Sequence, residues 1–161
     1  MLLIIDANVL IDYLKSDPAI LAFAARHLGQ IYIPRAVLEE VEQLTETYCQ
    51  QFGLTLVDES LEILIAAAEL RGSLSFADRV CLLLARERGW TCVTNDKPLH
   101  KACRADGIGV IWGLRLMLEL TRANQLEPAA AIEVATAIHR LNPRHITPAI
   151  VEEFRQKITS R

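Results

Sequence analysis

The sequence predicts an α/β domain with a mainly parallel five-stranded sheet and a helical C-terminal extension. Short apolar segments alternate with longer segments of helical periodicity, which is typical of a parallel sheet with crossover helices. The 161 residues are 52% hydrophobic, enough for one core but too few for two comfortable domains. We therefore expect a single domain over 1–161, with an α/β core over 1–112 and the extension over 113–161.

Five segments have strand character. The first, Leu2-Leu3-Ile4-Ile5, is apolar throughout, as expected of a strand that is buried on both faces of a parallel sheet. The predicted strands cover 2–5, 31–33, 54–57, 91–94 and 109–112.

Helical segments fill the intervals. Pro34 begins a helix in which Val37, Val41 and Leu44 have helical spacing, and Gly29 and Gly89 end two others. The predicted helices cover 8–15, 19–28, 34–46, 60–71, 76–88 and 98–105 in the core, and 113–124, 128–141 and 147–159 in the extension.

Composition limits the cellular setting and the partners. The sequence has no apolar run of the ~20 residues needed to cross a bilayer and no basic leader before its first strand, so we expect a cytoplasmic protein. The four cysteines show no zinc-ligand spacing.

The net charge of −3 is unevenly distributed along the chain. Residues 1–80 carry 5 Lys and Arg against 12 Asp and Glu, and residues 81–161 carry 12 against 8. A basic half of this kind can face phosphate, although chance asymmetry explains it equally well.

Three aspartates occur where parallel folds place their chemistry. Asp6 follows the first strand, Asp96 follows the fourth, and Asp78 lies in the first turn of the helix leading into the fourth strand. Ligands in such folds bind at the carboxyl ends of the strands, near the point where strand order reverses. Three clustered carboxylates repel one another unless a cation neutralises them, and all-oxygen ligands favour Mg²⁺ or Mn²⁺ over zinc.

Helix capping is the alternative explanation for each of these aspartates. Asp6 and Asp96 both precede helices and would be ordinary N-caps. Asp78 follows Ser75 by three residues, which is a capping-box spacing.

A fourth carboxylate is expected from the acidic segment 39–46. At ~100° per residue, the side chains of Glu39, Glu42 and Glu46 point away from the apolar face. Glu40 borders that face and is the best candidate, while a plain solvated glutamate is the alternative.

Four motifs, and their order along the chain, resemble those of the PIN-domain family. They are Leu3-Ile4-Ile5-Asp6-Ala7-Asn8-Val9-Leu10-Ile11, Val37-Leu38-Glu39-Glu40-Val41, Ser75-Phe76-Ala77-Asp78 and Thr94-Asn95-Asp96-Lys97-Pro98-Leu99. The resemblance covers residues 2 to 112. It implies a three-layer α/β/α fold and hydrolysis of RNA with one or two Mg²⁺ or Mn²⁺ ions. Asp6, Asp78, Asp96 and Glu40 would form the metal site, with Asn8 and Asn95 supporting it through hydrogen bonds.

The helical tail departs from short VapC-type toxins, which the core otherwise resembles. A toxin role with an antitoxin partner is therefore one hypothesis among others. The tail leucines could pack on the core or form a dimer face, and we expect a homodimer.

Two other classes of protein compete with this interpretation. A haloacid-dehalogenase-like phosphatase also begins with an aspartate after its first strand, but it needs a second acid where this chain has Asn8. A PIN-fold module that binds RNA or protein without cutting is the non-enzymatic alternative.

The helix after Asp96 offers further phosphate contacts through Lys97, Lys101 and Arg104. His100 on the same helix is expected to face solvent, and Trp90 and Trp112 are expected in the core.

Overall fold

The computed structural model describes residues 1–160; Arg161, the last residue of the predicted domain, lies outside them. The described residues contain one five-stranded sheet in which every strand pair is parallel. This confirms the predicted α/β class. The strands are β1 Leu2–Ile5, β2 Gln30–Pro34, β3 Thr55–Val57, β4 Thr91–Val93 and β5 Val110–Ile111.

Helices connect the strands and form the extension. Those of the core are α1 Ala7–Ser16, α2 Ala19–His27, α3 Arg35–Glu40, α4 Glu46–Phe52, α5 Leu61–Glu69, α6 Phe76–Arg88 and α7 Lys97–Ala105. Those of the extension are α8 Arg115–Arg122, α9 Pro128–Leu141 and α10 Pro148–Thr159. None of these helices is long and apolar enough to cross a membrane within residues 1–160.

The sheet order β3-β2-β1-β4-β5 places β1 at its centre. Leu3, Ile4 and Ile5 are completely buried, whereas Leu2 at the start of the strand is 47% exposed. Burial on both faces of the sheet therefore explains the apolar residues at the last three positions. The chain builds outward from β1 in one direction through β2 and β3, and in the other through β4 and β5. The strand order therefore reverses between β1 and β4, and a crevice at their carboxyl ends is the favoured ligand position.

The third predicted helix is shorter than its periodicity indicates. It ends at Glu40, because Val41 adopts an extended conformation (φ −104°, ψ 95°). Thr45 then caps a separate helix, α4, by accepting a hydrogen bond from the backbone N–H of Tyr48. Val41 and Leu44 are nevertheless buried, so their predicted place in the core is right although their predicted helix is wrong.

The helical extension packs directly on the core. Helix α9 lies against α1 and α10, and α8 lies against α2. This packing buries most of the tail leucines. Leu114, Leu116, Leu118 and Leu120 are buried, and Leu126 is half-buried. These leucines therefore do not form the exposed apolar face on which the homodimer expectation rested; of the leucines in the described part of the tail, only Leu141 is exposed.

Candidate metal centre at the carboxyl edge of the sheet

Asp6 and Asp96 lie on the two sides of the point where strand order reverses. Asp6 follows β1 directly, and its backbone N–H donates to the carbonyl of Val93, the last residue of β4, at 3.2 Å. Asp96 comes three residues after Val93 and is the N-cap of α7. The parallel pairing of β1 with β4 thus brings both aspartates to one edge of the sheet.

The Asp6 carboxylate is fully buried and held by two donors. The backbone N–H of Val9 donates to Oδ1 at 2.9 Å, so Asp6 does cap α1. The hydroxyl of Thr94 donates to Oδ2 at 2.5 Å and accepts from the backbone N–H of Asp96 at 3.0 Å. Thr94 therefore joins the two aspartates, a role that the sequence indicated only by a hydroxyl next to the Asn95-Asp96 pair.

Asp96 also caps its helix. Its Oδ2 accepts from the backbone N–H of Leu99 at 3.0 Å. Capping does not exclude metal binding, because an ionised carboxylate offers about four lone-pair sites on two oxygens. The cap fixes the carboxylate in place and leaves accepting capacity for a second partner.

Asp78 occupies the predicted capping-box position of α6. Ser75 is the N-cap, and its hydroxyl accepts from the backbone N–H of Asp78 at 3.1 Å. A hydrogen bond between the two side chains lowers the pKa of Asp78, against the larger effect of its burial. Helix α6 packs against β1 and β4, which turns its first turn towards the same edge of the sheet. The half-buried Asp78 carboxylate is thereby placed within electrostatic reach of the other two.

The electrostatics of the site are those of carboxylates crowded together. The pKa of Asp6 is raised to about 7: burial is the largest cause, the Thr94 and Val9 hydrogen bonds oppose it, and the charges of Asp78 and Asp96 add to it. Burial also raises the pKa of Asp78 to about 6, with Asp96 as the next contribution. Each shift reports that the ionised form is disfavoured in the folded protein.

Glu40 enters the site from the end of α3, which packs against α6. Its side chain is exposed, yet its charge is among the causes that raise the pKa of Asp78. Glu39 is also exposed, and the main causes of the raised pKa values of Asp6 and Asp78 do not include its charge.

The donor set fits a hard divalent cation that retains part of its water. Within residues 1–160, no three acidic, histidine or cysteine side chains are close enough to enclose an ion by themselves. Mg²⁺ usually keeps several waters and takes only one or two carboxylates directly. Acidic oxygens that repel one another around a buried Asp6 suit such an ion.

The two asparagines lie in different surroundings. Asn8 is exposed in the first turn of α1. Asn95 is buried, and its Oδ1 accepts from the backbone N–H of Gly113 at 2.8 Å while its Nδ2 makes a long contact of 3.5 Å with Asp12. The two contacts of Asn95 therefore join the Thr94–Asp96 loop to the start of the extension at Gly113 and to α1 at Asp12.

The predictions for His100 and Trp112 are wrong. His100 is 4% exposed and stacks on Trp112 with ring centroids 3.7 Å apart, whereas Trp112 is 44% exposed. The reason is tertiary: the chain returns after β5 and lays the indole over the imidazole. Trp90 is buried as expected, and Lys97, Lys101 and Arg104 are exposed along α7.

Together the fold and the site define a class of protein: a parallel α/β domain with an acidic centre at the switch point of its sheet. A PIN-domain family model matches residues 3–105, which is well over half of the chain. The chain belongs to the PIN-domain family. PIN domains are generally metal-dependent nucleases. A search of curated proteins gave no match for this chain.

Proposed function

We propose that this PIN-domain protein is a ribonuclease that hydrolyses RNA phosphodiester bonds with Mg²⁺ or Mn²⁺. The observation that carries the proposal is the fully buried Asp6 carboxylate, whose two like-charged neighbours, Asp78 and Asp96, oppose its ionisation. A buried carboxylate in such surroundings is stabilised in its charged form by a bound cation.

In this proposal the acidic residues divide into fixed and adjustable groups. Asp6 and Asp96 are fixed by helix caps and by Thr94, so they provide a rigid pair of oxygens. Asp78 and Glu40 come from other helices and complete the set, directly or through water. When bound, Mg²⁺ or Mn²⁺ polarises the scissile phosphate, lowers the pKa of the attacking water and stabilises the leaving oxygen.

The partners follow from the same hypothesis. RNA is the proposed substrate, with exposed Lys97, Lys101 and Arg104 offering contacts to its phosphates. A toxin role with an antitoxin and a homodimer are further proposals that rest on resemblance to PIN proteins. A cytoplasmic location is proposed because the four cysteines are buried and form no disulfide within residues 1–160. A PIN module that binds RNA or protein without cutting is the competing function.

Cleavage assays test the proposal. Asp6→Asn, Asp78→Asn and Asp96→Asn should each reduce Mn²⁺-dependent cleavage of single-stranded RNA by at least about 100-fold, and circular dichroism should show each variant folded. Asparagine is as good an N-cap as aspartate, so the caps survive. Wild-type rates in any two variants would refute the assignment of the site.

Glu40 has a matched control one residue away. Glu40→Gln should slow cleavage by about 10-fold or more, because its charge reaches Asp78. Glu39→Gln removes an equally exposed charge and should leave the rate within about twofold. If the two variants exchange their behaviour, the wrong glutamate has been placed in the site.

A further inference from the structure

Trp112 is a large aromatic side chain left exposed beside the acidic centre. It follows β5 at the carboxyl edge of the sheet, and 44% of its surface is accessible. The other tryptophan, Trp90, is buried and stacked on Tyr32. Just under half of the Trp112 surface therefore remains in contact with water, whereas Trp90 is almost entirely covered.

The backbone around Trp112 is bonded to the loop that carries Asp96. The backbone N–H of Thr94 donates to the carbonyl of Ile111 at 3.1 Å. On the other side of Trp112, the backbone N–H of Gly113 donates to Asn95 Oδ1 at 2.8 Å. Trp112 is thus fixed in register with the Thr94–Asp96 loop.

His100 gives the indole a rigid backing. The two rings are stacked at 3.7 Å with an angle of 18° between their planes. Only 4% of the His100 surface is exposed, and its Nε2 has no hydrogen-bond partner within residues 1–160. The buried imidazole acts here as a flat support for the exposed ring. It lies on α7 one helical turn, ~5.4 Å, after Asp96.

Positive charge follows the same helix. Lys97, Lys101 and Arg104 are exposed, and none of them forms an ion pair within the part of the chain that the structure describes. Their spacing of four and three residues places them on one side of α7. An RNA backbone along this side would meet cations while its bases are free to turn towards the indole.

We propose that Trp112, backed by His100, is a stacking platform for an unpaired base of RNA next to the acidic centre. The proposal rests on the proposed function only in taking RNA as the ligand. Sequence-tolerant proteins bind single strands by combining a cationic track with aromatic rings, and each stacked base contributes about 1–3 kcal/mol. The platform would select single-stranded over duplex RNA, because only unpaired bases can leave their own stack.

Equilibrium binding separates base stacking from phosphate contact. The probes are a fluorescently labelled oligoadenylate and an abasic ribose-phosphate oligomer of the same length, titrated with the full chain in Ca²⁺ and followed by anisotropy. Trp112→Ala should weaken oligoadenylate binding roughly 5- to 100-fold and change abasic binding less than about twofold. Trp112→Phe should retain most of the oligoadenylate affinity.

Two further variants are controls for the loss of apolar surface at Trp112 and for the loss of an exposed aromatic side chain elsewhere. Trp112→Leu keeps an apolar side chain but removes the aromatic face, so it should fold and still lose oligoadenylate affinity. Tyr48→Ala removes another exposed, ring-stacked aromatic, on α4, and should change neither affinity. Unchanged oligoadenylate binding in Trp112→Leu, equal losses for both oligomers, or no binding of either by the wild type would each overturn the platform.

Failure here is distinguishable from failure of the nuclease. Mn²⁺-dependent cleavage that depends on Asp6, together with oligoadenylate binding that ignores Trp112, would refute only the platform. Stacking that depends on Trp112 without any cleavage would instead leave an RNA-binding module and refute only the nuclease.

Discussion

Asp6 and Asp12 are both buried aspartates, six residues apart, and the protein satisfies them differently. Burial raises the pKa of each carboxyl. Around Asp12 the neighbours lower it again: Nδ2 of Asn142 lies 3.2 and 3.3 Å from its two oxygens, and the charges of His145 and Lys15 also favour the ionised form. Around Asp6 the charged neighbours are carboxylates.

The difference indicates that the Asp12 carboxylate is structural, whereas the Asp6 carboxylate is suited to bind a cation. Asp12 has its amide donors and nearby positive charge within the chain, so it needs nothing further. Asp6 has two hydrogen bonds, but Asp78 and Asp96 add only negative charge. Because buried charges are stabilised by pairing or by metal, the missing positive charge at Asp6 is expected to come from outside the chain.

The Asp12 cluster also fastens the extension to the core. Asn142 ends α9, and its amide reaches Asp12 on α1. Beside it, the hydroxyl of Tyr13 donates to the carbonyl of Gly113 at 2.6 Å. These bonds hold the start and the middle of the extension against the first helix, close to the loop that bears Asp96.

Removing Asp12 should have the largest effect on stability. Asp12→Ala leaves the half-buried amide of Asn142 without its acceptor and removes the contact with Asn95, so the free energy of unfolding should fall by about 1–3 kcal/mol. Urea denaturation measures this loss. Asp12→Asn keeps the shape and should lose less. A loss below about 0.5 kcal/mol in Asp12→Ala would mean that the junction is not structural.

Asp6 should make the metal-free protein less stable as pH rises. Its folded pKa of about 7 lies above the model-peptide value of 3.8, so its protonated form stabilises the fold at low pH. That contribution is lost as pH climbs towards 7, by at most about 1.4 kcal/mol per pH unit. Asp6→Asn should remove this part of the slope.

Melting temperatures between pH 5 and 8 in EDTA, with wild type and Asp6→Asn side by side, measure that slope. Saturating Mn²⁺ should reverse the wild-type trend, because the metal competes with protons for the carboxylates. Parallel wild-type and variant curves in EDTA would contradict the crowding of charge around Asp6.

The features that the sequence predicted are those encoded within single segments. An uninterrupted apolar run identifies β1. Asp6 directly follows that strand and Asp96 lies in the short loop after β4, so both must lie at the carboxyl edge, and their places in the fold follow locally. Ser75 likewise marks the start of α6. Each of these inferences needs only neighbouring residues.

What the sequence could not supply depends on contacts between distant segments. Asn142 meets Asp12 across 130 positions, and no local pattern marks that pair. His100 is buried only because Trp112 returns over it. The helix predicted through Leu44 in fact ends at Glu40. The prediction failed because a periodic apolar pattern does not reveal that Thr45 caps a new helix.

Metal-dependent stabilisation tests the central claim most directly. Thermal melts at pH 7.5 would compare wild type, Asp78→Asn and Asp106→Asn, which removes an acid outside the site, paired with Arg86. In EDTA, Asp78→Asn should melt at or above the wild type, since it relieves repulsion without removing a cap. Mn²⁺ at ten times its Kd should stabilise the wild type and Asp106→Asn by about 1.4 kcal/mol, which is roughly 3–6 °C, and Asp78→Asn far less. A wild type indifferent to Mn²⁺, beside an Asp78→Asn variant that melts lower in EDTA, would contradict a metal centre at this edge of the sheet.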